Sequence, residues 1–173
     1  MSPFDLRETI LKEHSKSQTM KIVRWIGDDQ EKFDDLVAVF LDGEYRVTQR
    51  AAWPLSICVI DHPELVKKHL KKLLLNLEKK NLHDSVTRNT LRLLQFIHIP
   101  ASLQGLAAEL CFDLINDHEQ PVAVQVFSMT VLGNLCVDHP ELSNEVRLSI
   151  ESKLPYGSAG FRSRANKVLK KLK

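Results

Sequence analysis

The chain has 173 residues, of which 43% are hydrophobic and 27% are charged; this composition excludes an intrinsically disordered chain and suffices for one globular domain with a sizeable core. Its 24 basic and 22 acidic residues give a formal net charge of +2, which is too close to neutrality to require a polyanionic partner. The three cysteines are odd in number and lie among apolar neighbours, which favours buried thiols in a reducing compartment over a disulfide framework.

The first part of the chain predicts two short helices. Ser2-Pro3 offers a capping hydroxyl and a first-turn proline, and the apolar residues that follow carry the first helix to about His14. Ser17 caps the second helix, which Gly27 ends. The start of the chain is amphipathic and charged within its first residues, which is unlike a secretory signal peptide.

The third and fourth helices introduce the feature that later recurs. Asp28-Asp29 opens the third helix, and the turn Asp42-Gly43 ends it. The fourth helix, at about 45–60, is apolar on almost every side, so we expect other helices to enclose it. Pro54 lies inside this helix and is expected to remove one backbone hydrogen bond and to bend the helix.

A short sequence after the fourth helix occurs twice. The fourth helix is followed by DHPEL at 61–65, and the same five residues return at 138–142 after a second apolar run at 122–137. This recurrence indicates a repeated unit in which each apolar run is the inner helix.

Two further helices are predicted between the copies of this sequence. The fifth has a broad apolar stripe over 65–77, and the sixth, capped by Asp84 or Ser85, ends before Pro100. The reverse side of the fifth helix carries four lysines, Lys67, Lys68, Lys71 and Lys72. A solvated outer face explains these lysines better than a phosphate-binding surface.

Four more helices complete the chain, at about 101–115, from Pro121, after Pro140 and at 158–172. Ten helices joined by short turns predict antiparallel helix pairs. The junction prolines Pro63, Pro100 and Pro140 lie 37 and 40 residues apart. A period in this range that contains two helices is typical of an α-solenoid.

The turns inside three of the predicted pairs share an aspartate and then a valine, and in two of them an arginine follows early in the second helix; in the third, Gln125 and Val126 stand where an arginine is expected. The residues that carry this pattern are Asp42, Val47, Arg50 and Ala51, then Asp84, Val86 and Arg88, then Asp117, Pro121 and Val122. The last unit keeps only Arg164-Ala165. In this pattern the chain resembles the HEAT-repeat family over nearly its whole length.

The resemblance implies an all-α fold, a right-handed α-solenoid of about five antiparallel helix pairs in a single domain at 1–173. The pairs are expected at 2–27, 30–60, 63–98, 101–138 and 141–172. The resemblance also implies that turn aspartates pair with the arginines that follow them, as Asp42–Arg50 and Asp84–Arg88, and link adjacent repeats. The family consists mostly of binding scaffolds, so the fold by itself says little about activity.

Motifs typical of enzymes are absent from the sequence, including the glycine-rich phosphate loops, GxSxG, CxxC and HExxH. We therefore predict that the protein is not an enzyme and has no catalytic residue, metal site, cofactor or small-molecule substrate. Asp61-His62 and Asp138-His139 resemble a metal or acid–base set. Because they fall at equivalent positions of units two apart, we favour a role at helix junctions.

The sequence predicts a non-enzymatic scaffold that binds a protein or peptide partner on a concave surface lined by the second helix of each repeat. Trp53 lies opposite the main apolar side of its helix, so it faces either a neighbouring repeat, which we favour, or the concave groove. The candidate contact residues lie on second helices: Arg24, Gln49, Trp53, Arg88, Arg92, Gln125 and Arg164.

The alternative function is nucleic-acid binding, with or without base-excision chemistry similar to that of HEAT-like DNA glycosylases for alkylated bases. The arguments for it are the lysine-rich fifth helix and a row of arginines, Arg24, Arg50, Arg88 and Arg164. Against it, the basic clusters lack the interleaved aromatic residues that stack on bases. No aspartate can be assigned to catalysis.

The hydropathy pattern bears on localisation. No apolar run approaches the roughly 20 residues that a membrane-spanning helix requires. We therefore predict a cytoplasmic protein without a membrane partner.

Overall fold

The computed structural model describes residues 4–172. Within this range the chain forms ten α-helices, two short 3-10 helices and no β-strand, which confirms the prediction of an all-α fold. The α-helices are α1 (Leu6–Lys12), α2 (Lys16–Ile26), α3 (Gln30–Asp42), α4 (Tyr45–Asp61), α5 (Leu70–Asn76), α6 (Asp84–Leu94), α7 (Ala101–Asn116), α8 (Val122–Leu135), α9 (Ser143–Glu151) and α10 (Ala159–Leu169). The 3-10 helices, Pro63–Val66 and Pro140–Leu142, follow α4 and α8.

The chain divides into two compact units, Met1–Ile97 and His98–Lys173. In the N-terminal unit, α4 is the central helix and packs against α1, α2, α3, α6 and the first 3-10 helix. Its buried residues, which include Pro54, cover more than half of the helix circumference, and the remaining side, with Gln49 and Trp53, is half-buried. The prediction that other helices pack around this apolar helix is therefore confirmed for its buried side.

The C-terminal unit is organised around α8, the second apolar run of the sequence. This helix packs against α7, α9 and α10, and α9 also contacts α7 and α10. In both units the second helices of successive predicted pairs are direct neighbours, since α2 and α6 both pack on α4, and α10 packs on α8. The right-handedness of the predicted solenoid and its number of helix pairs, about five, stay predictions.

The structure changes three predicted helix starts. The predicted start at Ser2-Pro3 lies outside the described residues, and α1 is capped by Asp5, whose Oδ1 accepts the Glu8 N–H at 2.8 Å. Helix α2 is capped by Ser15 and not by Ser17, because the backbone of Ser15 is extended and its hydroxyl faces the amides of the first turn. Helix α6 is capped by His83, whose Nδ1 accepts the Ser85 N–H at 3.0 Å.

The predicted fifth helix is interrupted. A 3-10 helix over Pro63–Val66 is followed by a tight turn, and α5 begins only at Leu70. The i to i+3 hydrogen bonds of this turn keep Leu65 buried and also direct Lys68 and His69 towards Asp34 on α3. The leucines and the valine of the predicted apolar stripe are buried, but the α-helix that carries the stripe is shorter than predicted.

The three cysteines are buried and unpaired, as predicted. Burial raises the pKa of the Cys58 thiol to about 12, and burial likewise raises the pKa of Cys111 to about 12. At neutral pH both side chains are therefore protonated and act as small apolar groups of the core.

Two glycines predict opposite effects of substitution by alanine. At Gly43, which ends α3, an added Cβ would lie 2.2 Å from the carbonyl oxygen of Val39, the acceptor of the Gly43 N–H. We expect Gly43→Ala to break that bond and destabilise the protein by about 1 kcal/mol. At Gly105, inside α7, an added Cβ meets nothing within 4 Å.

Gly105→Ala should therefore stabilise the protein by roughly 0.5–1 kcal/mol, the difference in helix propensity. Chemical denaturation of the two variants measures both values. Equal shifts in the same direction would contradict the close approach of Val39 to Gly43.

Candidate binding surfaces

A buried polar seam joins α4 to α6 in the N-terminal unit. Ser85 Oγ donates to the backbone carbonyl of Gln49 at 3.1 Å, and Asn89 Nδ2 donates to the carbonyl of Ser85 at 2.7 Å. Ser56 Oγ lies 2.9 Å from the carbonyl oxygen of Trp53 and 3.2 Å from Asn89 Oδ1. These contacts fix the two second helices against each other, so side chains on their outer surface keep a defined spacing.

Two candidate residues, Gln49 and Trp53, lie one turn apart on α4 and are both half-buried. The Trp53 ring lies 6.1 Å from the ring of His14, in the connection between α1 and α2. Arg50, between them in sequence, donates from Nη1 to the carbonyl of Leu11 at 2.7 Å. Trp53 therefore lies beside the preceding helix pair and keeps part of its surface exposed.

Arg50 does not form the predicted ion pair. Among residues 4–172, neither Asp42–Arg50 nor Asp84–Arg88 comes within salt-bridge distance. The arginine still links successive pairs, but its acceptor is the Leu11 carbonyl at the end of α1, which lacks a partner further along its short helix.

The other candidate cations of this unit lie on α2 and α6. Arg24 and Arg88 are exposed, and Arg92 is half-buried one turn beyond Arg88. Within the described part of the chain, none of these three guanidinium groups forms an ion pair. Their charge is therefore not neutralised by a bonded carboxylate of this unit.

In the C-terminal unit, the candidates Gln125 and Arg164 make structural contacts. Arg164 Nη1 on α10 donates to Thr130 Oγ1 on α8 at 2.8 Å, which joins the two helices. Gln125 Nε2 donates to the carbonyl of Gln120 at 2.8 Å and stabilises the turn before α8.

The two DHPEL sequences act at helix junctions, where a histidine faces the glutamate two residues later. The His62 Nδ1–Glu64 Oε1 distance is 3.6 Å, and the His139 Nδ1–Glu141 Oε1 distance is 3.0 Å. In the second junction, Gln104 Nε2 donates to Asp138 Oδ2 at 2.8 Å. Within the described residues, no three His, Cys, Asp or Glu side chains are placed to hold a metal ion together.

The pKa of Glu141 shows the effect of this arrangement. Its own backbone N–H, followed by the ring of His139, holds the pKa of this carboxyl below its usual range. The carboxylate is exposed, and its contact with His139 is a local hydrogen bond at the helix junction.

A cleft of about 590 Å³ lies in the C-terminal unit. The turn before α8, the start of α8, the connection between α9 and α10, and the start of α10 form its walls. Lys153 Nζ lies 3.4 Å from His118 Nδ1 on one side. The lining residues are His118, Val122, Gln125, Ser152, Lys153, Tyr156, Gly157, Ser158 and Phe161.

A comparison with family models decides the family. The model described as a HEAT repeat domain matches residues 6–172. The chain belongs to the HEAT-repeat family. No curated protein and no solved structure matches this HEAT-repeat protein significantly.

The membership places the seven candidate residues on a helical repeat scaffold, which is the type of structure that the sequence predicted. Of the seven, Gln125 lines the cleft of the HEAT-repeat C-terminal unit. Sequence reasoning missed Lys153 and Tyr156 there. The available signal was the position of Tyr156 between Pro155 and Gly157, because an aromatic side chain in a turn outside the predicted helices is not explained by core packing.

The lengths and compositions of the helices bear on the membrane prediction. Among residues 4–172, no helix combines the length and the apolar character that crossing a bilayer requires.

Proposed function

We propose that this HEAT-repeat protein is a non-enzymatic scaffold that binds a protein or peptide partner on the face lined by the second helices of its repeats. The observation that carries the proposal is the direct packing of α4 on α6, since both helices keep candidate side chains at least partly exposed: Gln49 and Trp53 on α4, and Arg88 and Arg92 on α6. Repeat packing explains the buried sides of these helices but does not use these four side chains fully.

The chemistry of this surface suits a protein interface. Tryptophan and arginine dominate the binding energy of many interfaces, because each buries a large area and can also donate hydrogen bonds. Trp53 is half-buried beside His14, and a tryptophan side chain has only two rotatable bonds, so it loses less side-chain entropy on binding than a long flexible side chain. Arg88 and Arg92 bring positive charge on the adjacent helix, which favours a partner segment with acidic residues.

The test compares two double variants of the full chain. Arg88→Ala/Arg92→Ala removes the cations of the second-helix face, whereas Lys71→Ala/Lys72→Ala removes two exposed lysines from α5. A partner captured with the wild-type protein is purified and titrated calorimetrically against all three proteins. We expect the arginine variant to bind at least about 10-fold more weakly, equivalent to loss of one strong contact, and the lysine variant to bind like the wild type.

The same variants test the alternative function. Five lysines around α5, Lys67, Lys71, Lys72, Lys79 and Lys80, are exposed, and within the described residues none of them forms an ion pair. Tight binding to duplex DNA that falls steeply between about 50 and 200 mM salt, and that only the lysine variant loses, would replace the scaffold proposal by nucleic-acid binding.

A further inference from the structure

We propose that the cleft of the C-terminal unit is a second binding site, which takes a short acidic peptide segment. A carboxylate of the peptide would lie against Lys153 and His118, and an apolar side chain would lie against Val122 and Tyr156. The inference extends the proposed function by assigning a partner chemistry to a separate site, and it does not require the second-helix face to be functional.

The charge in the cleft is the first argument. Lys153 is half-buried, and among the described residues its Nζ makes one polar contact, 3.4 Å to His118 Nδ1. Within that same range no carboxylate lies within salt-bridge distance of this ammonium group. An ammonium has three donors, so an incoming carboxylate would find hydrogen-bond donors that the protein does not use.

The neighbouring carboxylate of Asp117 does not fill this role. Its oxygens accept from the Glu119 N–H at 2.9 Å and from Gln120 Nε2 at 2.8 Å. Those bonds, with smaller contributions from the nearby charges of His118 and Lys153, hold the pKa of Asp117 below its usual range. Asp117 therefore weakens the positive potential of the cleft from one side, but its oxygens are bonded within its own turn.

Exposed apolar surface is the second argument. In the described part of the C-terminal unit, four large hydrophobic side chains are exposed, Val122, Val137, Leu148 and Tyr156. Two of the four line the same cleft, where Tyr156 is 91% and Val122 is 47% exposed. Covering this surface would remove apolar area from water beside a positive charge.

The shape of the cleft favours a peptide over a small molecule. A volume of about 590 Å³ lies in the range of ligand sites, but such sites usually bury most of a small ligand. Here the Tyr156 side chain is almost entirely exposed to solvent, so the edge of the cleft would bury only a small part of a bound small molecule. A peptide fits better, because its flanking residues can continue beyond the open ends while two or three side chains occupy the cleft.

The experiment uses the isotope-labelled full chain and two pools of blocked hexapeptides. In the first pool, two glutamates are flanked by randomised apolar residues; in the second, glutamine replaces each glutamate. At peptide concentrations of about 1 mM, sufficient for a weak single-segment site, we expect the acidic pool to shift the amide resonances of His118 and of the residues with an N–H in 152–157, that is, all except Pro155. The glutamine pool should bind about 10-fold more weakly, since it lacks the charge-assisted bond.

Three variants separate a binding site from a merely structural region. Lys153→Gln and Tyr156→Ala should each weaken binding of the acidic pool by about 5–10-fold. Lys167→Gln, which changes an exposed lysine on α10, is the matched control and should leave affinity unchanged. Equal binding of the two pools, unchanged affinity of the Lys153 variant, or no shift in the cleft would each overturn the proposal.

The Arg88→Ala/Arg92→Ala variant makes this result independent of the proposed function. If the cleft is a separate site, this variant should show the same peptide-induced shifts as the wild type, even where it has lost the protein partner. Loss of the shifts in that variant would overturn the assignment of a separate site.

Discussion

Leu132→Ala is expected to lower the free energy of unfolding by about 2–5 kcal/mol, the range for a leucine removed from a packed core. Leu132 is fully buried in α8, the helix around which the C-terminal unit is built. The next residue, Gly133, approaches α10 so closely that an added Cβ would lie 2.8 Å from Val168 Cγ1. Because α8 and α10 are already in close contact at this point, we do not expect them to move together and fill the space left by the Leu132 side chain.

The measurement is urea denaturation followed by far-ultraviolet circular dichroism. Tryptophan fluorescence would not report on this unit, because both tryptophans, Trp25 and Trp53, lie in the N-terminal unit. Leu148→Ala is the matched control, since Leu148 is 58% exposed on α9, and it should change stability by less than about 0.5 kcal/mol. Similar stability of the two variants would show that Leu132 does not lie in the core of the C-terminal unit.

The central helices of both units were predictable from the sequence because their apolar composition requires them to be buried. A helix such as α4, apolar on almost every side, is stable in water only when other helices cover it. The Gly27 stop of α2, at φ +54°, and the Asp29 cap of α3 were also predictable, since each depends on one residue type in a local conformation.

The interruption before α5 could not be predicted from the apolar periodicity. Leu65 and Val66 fit the apolar stripe of a continuous helix, and they are buried although the segment that carries them is a 3-10 helix. The apolar periodicity of the segment also gives no information on Asp34, a residue of α3 that bonds to both Lys68 and His69.

The candidate sites likewise divide into features that local sequence determines and features that depend on distant residues. The sequence could place Gln49 and Trp53 on one side of a helix, because helical periodicity is local. It could not predict that Arg50 would bond to the Leu11 carbonyl, since that acceptor is a backbone group with no sequence signature. The cleft was missed because its walls come from chain segments about 30 residues apart, which only the packing of α8 on α10 brings together.

Asp34→Ala is the second substitution with a large expected effect, a loss of about 2 kcal/mol at neutral pH. Asp34 Oδ1 lies 2.6 Å from His69 Nε2 and accepts from Gln30 Nε2 at 2.9 Å, while Oδ2 accepts from Lys68 Nζ at 2.5 Å. His69 is largely buried, so removal of the carboxylate leaves a ring nitrogen without its partner. Because about a third of the Asp34 side chain is exposed, we expect less than the full loss measured for buried ion pairs.

The pH dependence distinguishes this explanation from a loss of packing. Burial alone would raise the pKa of Asp34, but hydrogen bonds from Lys68, His69 and Gln30 outweigh it and hold that pKa well below its usual range. A carboxyl whose pKa is lower in the folded than in the unfolded state stabilises the fold above its unfolded pKa, about 3.9, and loses that contribution as the pH falls towards the folded value. The deficit of Asp34→Ala relative to the wild type should therefore be constant above about pH 5 and shrink below about pH 4. Asp35→Ala, at the exposed neighbouring position, is the control and should show no such pH-dependent deficit. If the deficit of Asp34→Ala stayed constant down to about pH 2, the charge of the carboxylate would not be what stabilises this contact.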